Sequence, residues 1–251
     1  MPLALALTLG LALAPLAPGL ARAAEPACRR AAFEGAAFTV CAYRPGEHEI
    51  RLEGAANGAP IGSFAALRRV LGPAARRVAF AMNAGMYDVD QRPLGLFVRH
   101  GVLERPLNRT SDLGNFYLKP NGVFWVGADG APHVEATDTY AEAPRYPEWA
   151  TQSGPLLVWR GAFNPHVAPD GISLQVRNAV GVKGRDAYFV ISEGPVSFGR
   201  LARFLRDDLG CPDALYLDGA VSALWATSLK REDPAAGLGT FVVVSGRPPQ
   251  R

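Results

Sequence analysis

The stretch NAVGVKGRDAYFVIS, Asn178 to Ser192, decides the fold. Two apolar-rich runs, NAVGVK (178–183) and AYFVIS (187–192), flank the polar turn Gly184-Arg185-Asp186. Each run has strand length and alternation, and the turn is too short for a helical crossover, so the pair reads as an antiparallel hairpin. The same grammar recurs along the chain. FTVCAYR (38–44) and HEIRLE (48–53) flank a Pro-Gly turn, and GLFVR (95–99) and VLERP (102–106) flank His100-Gly101. GVFWVG (122–127) and PHVEAT (132–137) flank an Ala-Asp-Gly turn, and PLLVWR (155–160) ends at Gly161. ALYLD (214–218) and TFVVVS (240–245) are late apolar strands.

Two segments have helical periodicity. Ser63 precedes FAALRRVL, which Gly72-Pro73 stops. Ser197 precedes FGRLARFLRDDL, whose Phe198, Leu201, Ala202, Leu205 and Leu209 form one stripe, with Gly210 and Pro212 as stop signals. Hairpins outnumber helices. The expected fold class is therefore α+β: strand-rich, mixed or antiparallel twisted sheets built from hairpins and packed with two main helices. Residues 138–150 and 227–239 read as surface loops.

Residues 1–23 read as a secretory signal peptide, with an apolar Leu/Ala/Pro run and the Ala21-Arg22-Ala23 exit pattern. The alternative is an uncleaved membrane anchor, which Pro15, Pro18 and the alanine-rich exit oppose. Residues 24–251 then form one domain, exported to the periplasm or beyond, with no stable membrane insertion after cleavage. The whole chain carries a formal net charge of only +3, which gives no reason to expect nucleic acid as a partner. An oxidising compartment lets Cys28 pair with Cys41. Cys211 is left over; it reads as a small buried hydrophobe, with a nucleophile or an alternative bridge as the other options.

His48, His100, His133 and His166 form no H-x-H or H-E-x-x-H pattern, so no metal ligand set is expected. Asp88-Val89-Asp90 begins like a calcium loop but lacks its glycine and closing glutamate. No cofactor is expected, with a divalent cation such as calcium left open.

Four segments place polar residues where a core needs none. VAFAMNAGMYD (78–88) runs a strand into Asn83, which either presents its amide to a cleft or closes an Asx-turn. ATQSGPLLVW (150–159) offers Gln152 and Ser153 before Gly154-Pro155. QVRNAVGVKG (175–184) sets Arg177 beside Asn178 in an apolar strand, where a buried cation needs an anionic partner, a structural acid or a phosphate. ISEGPVSFGR (191–200) ends a strand at Glu193 and starts a helix at Ser197, and the next strand ends at Asp218. If those two strands are parallel neighbours, Glu193 and Asp218 form a carboxylate pair on one side of the sheet. The plainer reading is a dipole-favoured glutamate and a turn-forming aspartate.

Taken together, these segments resemble the phosphodiester glycosidase domain family. The resemblance rests on Asn83-Ala84-Gly85-Met86-Tyr87, Gly154-Pro155, Arg177-Asn178-Ala179-Val180-Gly181, Ser197-Phe198-Gly199 and Leu217-Asp218-Gly219-Ala220-Val221-Ser222, in order. Two departures stand out: the family pattern has a second glycine where Ala84 stands, and glycines where Ala220 and Val221 stand. The resemblance implies hydrolysis at a sugar anomeric carbon linked to phosphate, on a cell-envelope or extracellular glycan. It implies Asp218 as base or nucleophile and Glu193 as second carboxylate. Arg177 would take the phosphate, and Asn83, Gln152, Gly154, Asn178, Ser197 and Ser222 would line the substrate. The competing expectations are a non-catalytic glycan-binding envelope protein and a metal-dependent phosphodiesterase.

Overall fold

The computed structural model describes residues 26–56, 58–218 and 221–248. The expected leader, the chain start at Ala24, Gly219 and Ala220 lie outside them.

The hairpin that opened the reading forms as expected, Asn178–Lys183 against Asp186–Ser192, with Lys183 opposite Asp186 and Asn178 opposite Ile191. It is the centre of a seven-stranded sheet. In spatial order the strands are Cys28–Phe33, Ala36–Tyr43, Asp186–Ser192, Asn178–Lys183, Asp213–Tyr216, Leu156–Trp159 and Ala162–Phe163. A five-stranded outer sheet runs Pro132–Ala136, Gly122–Gly127, Pro147–Ser153, Phe97–Arg99, Val102–Arg105. A second five-stranded sheet, the inner sheet, runs Arg231–Glu232, Leu224–Ala226, Val78–Asn83, Phe241–Gly246, His48–Glu53. The ladders of all three are antiparallel. The fold is the strand-rich α+β architecture that the hairpins imply.

Alternation builds the core. Val180, Val182, Phe189, Ile191, Leu215 and Leu217 face inward from the large sheet. They meet Phe80, Met82, Val242 and Val244 of the inner sheet and Phe124 and Val126 of the outer one. Each such side chain contributes about 1.5–3 kcal/mol when fully buried. The other face of the large sheet, with Ala179, Val190 and Tyr216, is covered by Leu201, Ala202, Leu205 and Leu209 of the second helix.

Both expected helices form. Ser63 caps Phe64–Leu71 by accepting from Ala66 N, and Ser197 caps Phe198–Arg203 by accepting from Arg200 N. The second helix then widens into a π-type turn over Phe204–Asp208, which keeps Phe204 and Leu205 buried. The stretch 138–150 differs from the surface loop expected. Thr137–Glu142 is a short helix and Pro147–Ser153 an inner strand of the outer sheet. The acids lie on the helix and at the strand edge, while Trp149, Ala150 and Thr151 carry the burial. The Pro45-Gly46 turn also differs. It joins strands of different sheets, because Ala36–Tyr43 pairs with Asp186–Ser192 whereas His48–Glu53 pairs with Phe241–Gly246.

Cys28 and Cys41 are opposite each other in the first hairpin and form a disulfide. Cys211 is a buried free thiol, pushed up to about 12 chiefly by burial, and is unreactive as a nucleophile at neutral pH.

His48 gives a pH prediction. It is buried, and its Nδ1 accepts from Arg44 N at 3.1 Å. Burial lowers its pKa below the ordinary 6.5. Below that value the unfolded chain takes up a proton that the folded chain resists, so stability falls as pH drops from about 6.5 toward the folded pKa. His133, also lowered chiefly by burial, adds to the same window. His48→Asn keeps an acceptor for Arg44 N and removes the titration. Urea midpoints from pH 7.5 to 5.5 are expected to fall less steeply in this variant than in the wild type. Equal slopes would exclude His48 as a contributor.

Candidate active site

Three antiparallel registers bring distant residues to one end of the interface between the large and inner sheets. Asn83 ends its strand, Asn178 opens its own, and Asp218 follows the Asp213–Tyr216 strand by two residues. Leu217 N donates to Asn178 O at 3.2 Å, which continues the ladder up to Asp218. All three polar side chains are buried: Asn83 and Asn178 fully, Asp218 to 4% exposure.

Their side chains form one network. Asn83 Nδ2 donates to Asp218 Oδ2 at 3.1 Å. Asn178 Nδ2 donates to Asn83 O at 2.9 Å and to Asn83 Oδ1 at 3.1 Å, while Asn178 Oδ1 accepts from Asp218 N at 2.8 Å. Ala223 N donates to Asn83 Oδ1 at 2.9 Å. The two donors aimed at Asn83 Oδ1 fix that amide's orientation, since a flipped amide would point N–H groups at N–H groups. Asn83 is thus no local Asx-turn: its side chain joins residues far along the chain. Ser222 Oγ lies 3.0 Å from Asp218 O and 3.1 Å from Val176 O, which ties Ser222 to the site.

Tyr87 joins this cluster, although sequence reading assigned it no role beyond its place in the motif. Its ring packs on Gly239, and its buried Oη faces the Asp218 carboxylate. Burial raises the phenol's pKa most, and the charge of Asp218 and a hydrogen-bonding contact with it raise it further. The contact falls short of full hydrogen-bond geometry, and Oη meets no ideal partner among the described residues. Tyr216 is pushed up to about 12, first by burial; Arg177 opposes the shift and Asp218 adds to it. Both phenols are neutral donors at physiological pH.

Arg177 lies beneath the site at 1% exposure. Its Nε donates to Val196 O at 2.9 Å, Nη2 to Ser173 O at 3.0 Å, and Nη1 to Tyr216 Oη at 3.2 Å. Its Cζ stands 3.7 Å from the centre of the Phe198 ring. The guanidinium is therefore satisfied by neutral groups of its own chain, and its planar fork is already engaged.

Glu193 is placed differently from the expected pair. The strands ending at Glu193 and Asp218 run in the same direction but are not neighbours, because Asn178–Lys183 lies between them. They stand two strand spacings apart, about 10 Å. The Glu193 carboxylate accepts from Thr39 Oγ1 at 2.5 Å and Arg231 Nη1 at 2.7 Å. Arg231 in turn holds both oxygens of Asp233 at 2.8 Å, and Asp233 Oδ2 accepts from Leu224 N at 2.9 Å. Arg231 sits in a stretch read as loop, and no local pattern marked it.

Gln152 spends its amide inside the protein. Oε1 accepts from Leu96 N and Asn108 N, and Nε2 donates to Asn108 O and Thr137 Oγ1. Its neighbour Ser153 donates to Leu217 O instead, beside the site. Gly154 is packed against Phe116 O and the Asn121 side chain, where a Cβ would clash. Ser197 serves as the helix cap described above, and Asp88 Oδ1 closes a turn on Asp90 N and Arg92 N. Among the described residues no group of three or more His, Cys, Asp or Glu side chains is arranged to hold a metal. Nor is any helix among them long and apolar enough to cross a membrane.

Gly85 locks the Asn83 loop onto the outer sheet. A Cβ there would fall well inside contact with Gln152 O and Thr151 Oγ1. Gly85→Ala is expected to cost about 1–3 kcal/mol of stability. A urea midpoint equal to wild type would show that the loop yields freely.

Comparison with known proteins gives a consistent result. A family model described as phosphodiester glycosidase matches residues 76–245, the span that holds the whole cluster. The uncharacterized protein YigE of Escherichia coli (strain K12) is 37% identical over 152 residues, 59% of this chain. The match spans 58% of that relative's length. In structure, the zebrafish N-acetylglucosamine-1-phosphodiester alpha-N-acetylglucosaminidase catalytic domain superposes with a TM-score of 0.61 at 14% identity, covering 90% of this chain and 86% of that one. A hypothetical protein from Synechocystis gives 0.53 at 15% identity, covering 88% and 61%. At these identities both likenesses speak for the fold.

Proposed function

The chain belongs to the phosphodiester glycosidase family, and from that premise we propose that it hydrolyses the bond between a sugar anomeric carbon and a phosphodiester. The observation that carries the reading is the buried Asp218, whose carboxylate accepts from Asn83 and faces the Tyr87 phenol while its backbone N–H is held by Asn178. A structural turn former needs none of these partners. In the reaction a water oxygen bonds to the anomeric carbon, the carbon–oxygen bond to phosphate breaks, and a phosphomonoester leaves. Asp218 serves as base, taking the water proton, or as nucleophile in a two-step route. Phosphate is a good leaving group, so a strong general acid at Glu193 is not required. Glu193, paired with Arg231, holds that edge of the site.

Asn83 fixes the carboxylate, and Ser222 bonds Asp218 O and Val176 O beside it. Tyr87 and Tyr216 are neutral phenols able to donate hydrogen bonds. Arg177 supplies positive potential from below, since its fork is engaged internally. Val221, where the family pattern has glycine, packs partly buried against the Ala223–Trp225 cluster and would bear on which sugar is accepted. The Cys28–Cys41 disulfide and the leader-like residues 1–23 support export to the periplasm or beyond, and hence an envelope or extracellular glycan.

The test is a panel of sugar-1-phosphodiesters turned over in ¹⁸O-labelled water. Glycosidic cleavage releases free sugar carrying the label. Release of sugar 1-phosphate would replace this reading with a phosphodiesterase, and binding without turnover across the panel would replace it with a glycan-binding protein.

A further inference from the structure

The arginines that look scattered in sequence converge in space. Arg68 and Arg76, from the first helix and the turn after it, meet Lys230 and Arg231 around a pocket of about 340 Å³ floored by Trp225. Glu232 is the one acid in its lining, bonded to Arg68, whose guanidinium sits 4.2 Å above the Trp225 ring. Arg76 and Lys230 are exposed, and their side chains make no hydrogen bond or ion pair among the described residues. Lys230 holds a left-handed backbone at φ 52°, where it ends the turn Thr227–Leu229.

The pocket is linked to the candidate active site in two ways. Trp225 is opposite Ala81 in the inner sheet, and strand alternation puts Ala81 and Asn83 on the same face. Ala81, Ala223 and Trp225 share one apolar cluster on that face, so the pocket floor starts about 7 Å along the strand from Asn83. Arg231, meanwhile, lines the pocket while its guanidinium reaches Glu193.

We propose that this pocket is an accessory subsite for a second, phosphate-bearing sugar unit of a phosphodiester-linked glycan, next to the unit cleaved at Asp218. The inference rests on the proposed reaction for the identity of the ligand. Cations would take the phosphate, and the volume is in the range of small-ligand sites.

The experiment measures binding by calorimetry in the Asp218→Asn background, so that turnover is slowed. The probes are a four-unit oligomer of phosphodiester-linked N-acetylglucosamine, the single-unit methyl phosphodiester, inorganic phosphate and a single-stranded oligonucleotide. Arg76→Ser/Lys230→Ser removes two charges that make no internal contact, and its thermal midpoint verifies folding. The oligomer is expected to bind tighter than the single unit, and the double variant is expected to weaken the oligomer about ten-fold at low ionic strength. Unchanged oligomer affinity in the folded double variant overturns the proposal. So does phosphate or the oligonucleotide binding as tightly as the oligomer, which would make the pocket a general anion site. Failure of the reaction itself would show separately, as no hydrolysis of the oligomer or the single-unit diester by the wild type.

Discussion

Asp218→Asn is expected to lower kcat on a responsive sugar-1-phosphodiester by about 10²–10⁴-fold, the range that a positioned acid–base group contributes. The fold should survive. Asparagine has the same shape, its amide oxygen can take the place of Oδ2 opposite Asn83 Nδ2, and the Asp218 N bond to Asn178 Oδ1 does not involve the side chain. What is lost is the negative charge facing Tyr87 and the reacting centre. KM should move little, because the substitution keeps the shape of the side chain. Near-wild-type kcat in a variant with a native thermal midpoint would remove Asp218 from the chemistry, whatever the family.

The site was legible as a set of segments but not as a constellation. Asn83, Asn178 and Asp218 were each visible as polar residues at apolar strand ends, because such residues cost free energy unless partnered. Their partnership was not visible. Asn83 reaches Asp218 across the boundary between two sheets, and no local pattern encodes which sheets meet. The Glu193–Asp218 expectation failed for a related reason. Consecutive strands joined by a helix gave the correct common direction, but strand order placed Asn178–Lys183 between them. Hairpins with two- to four-residue turns were read correctly because turn chemistry is local. The Pro45-Gly46 turn was not, since the same residues can close a ladder or pass the chain to another sheet. Leu224–Ala226 was missed because three residues show no alternation, and its place beside Val78–Asn83 is what brings Trp225 and Arg231 near the site. The basic pocket was invisible for the same reason: its cations come from two stretches far apart in sequence.

Arg177→Met is expected to destabilise the protein by about 3–5 kcal/mol, the scale of a broken buried polar network. Methionine fills part of the volume and keeps the contact with Phe198, but it takes the charged donor from buried Tyr216 Oη and from Val196 O, which keeps only the longer bond from Gln175 N at 3.3 Å, and it frees Ser173 O. Each lost bond to a charged donor is worth about 1.5–3 kcal/mol. Arg177→Lys should recover little. An ammonium offers three donors from one point, whereas the native contacts diverge from Nε, Nη1 and Nη2 toward three different elements. Two roles for Arg177 can thus be separated by one pair of measurements. A residue that binds substrate phosphate directly would, as lysine, show a native thermal midpoint with a raised KM. A residue that organises the floor of the site would, as lysine, lose stability, with kcat falling as Tyr216 and the strand end before Asp218 shift. The geometry predicts the second pattern. A native midpoint with only KM raised would return Arg177 to the phosphate and would mean that its internal bonds open when substrate arrives.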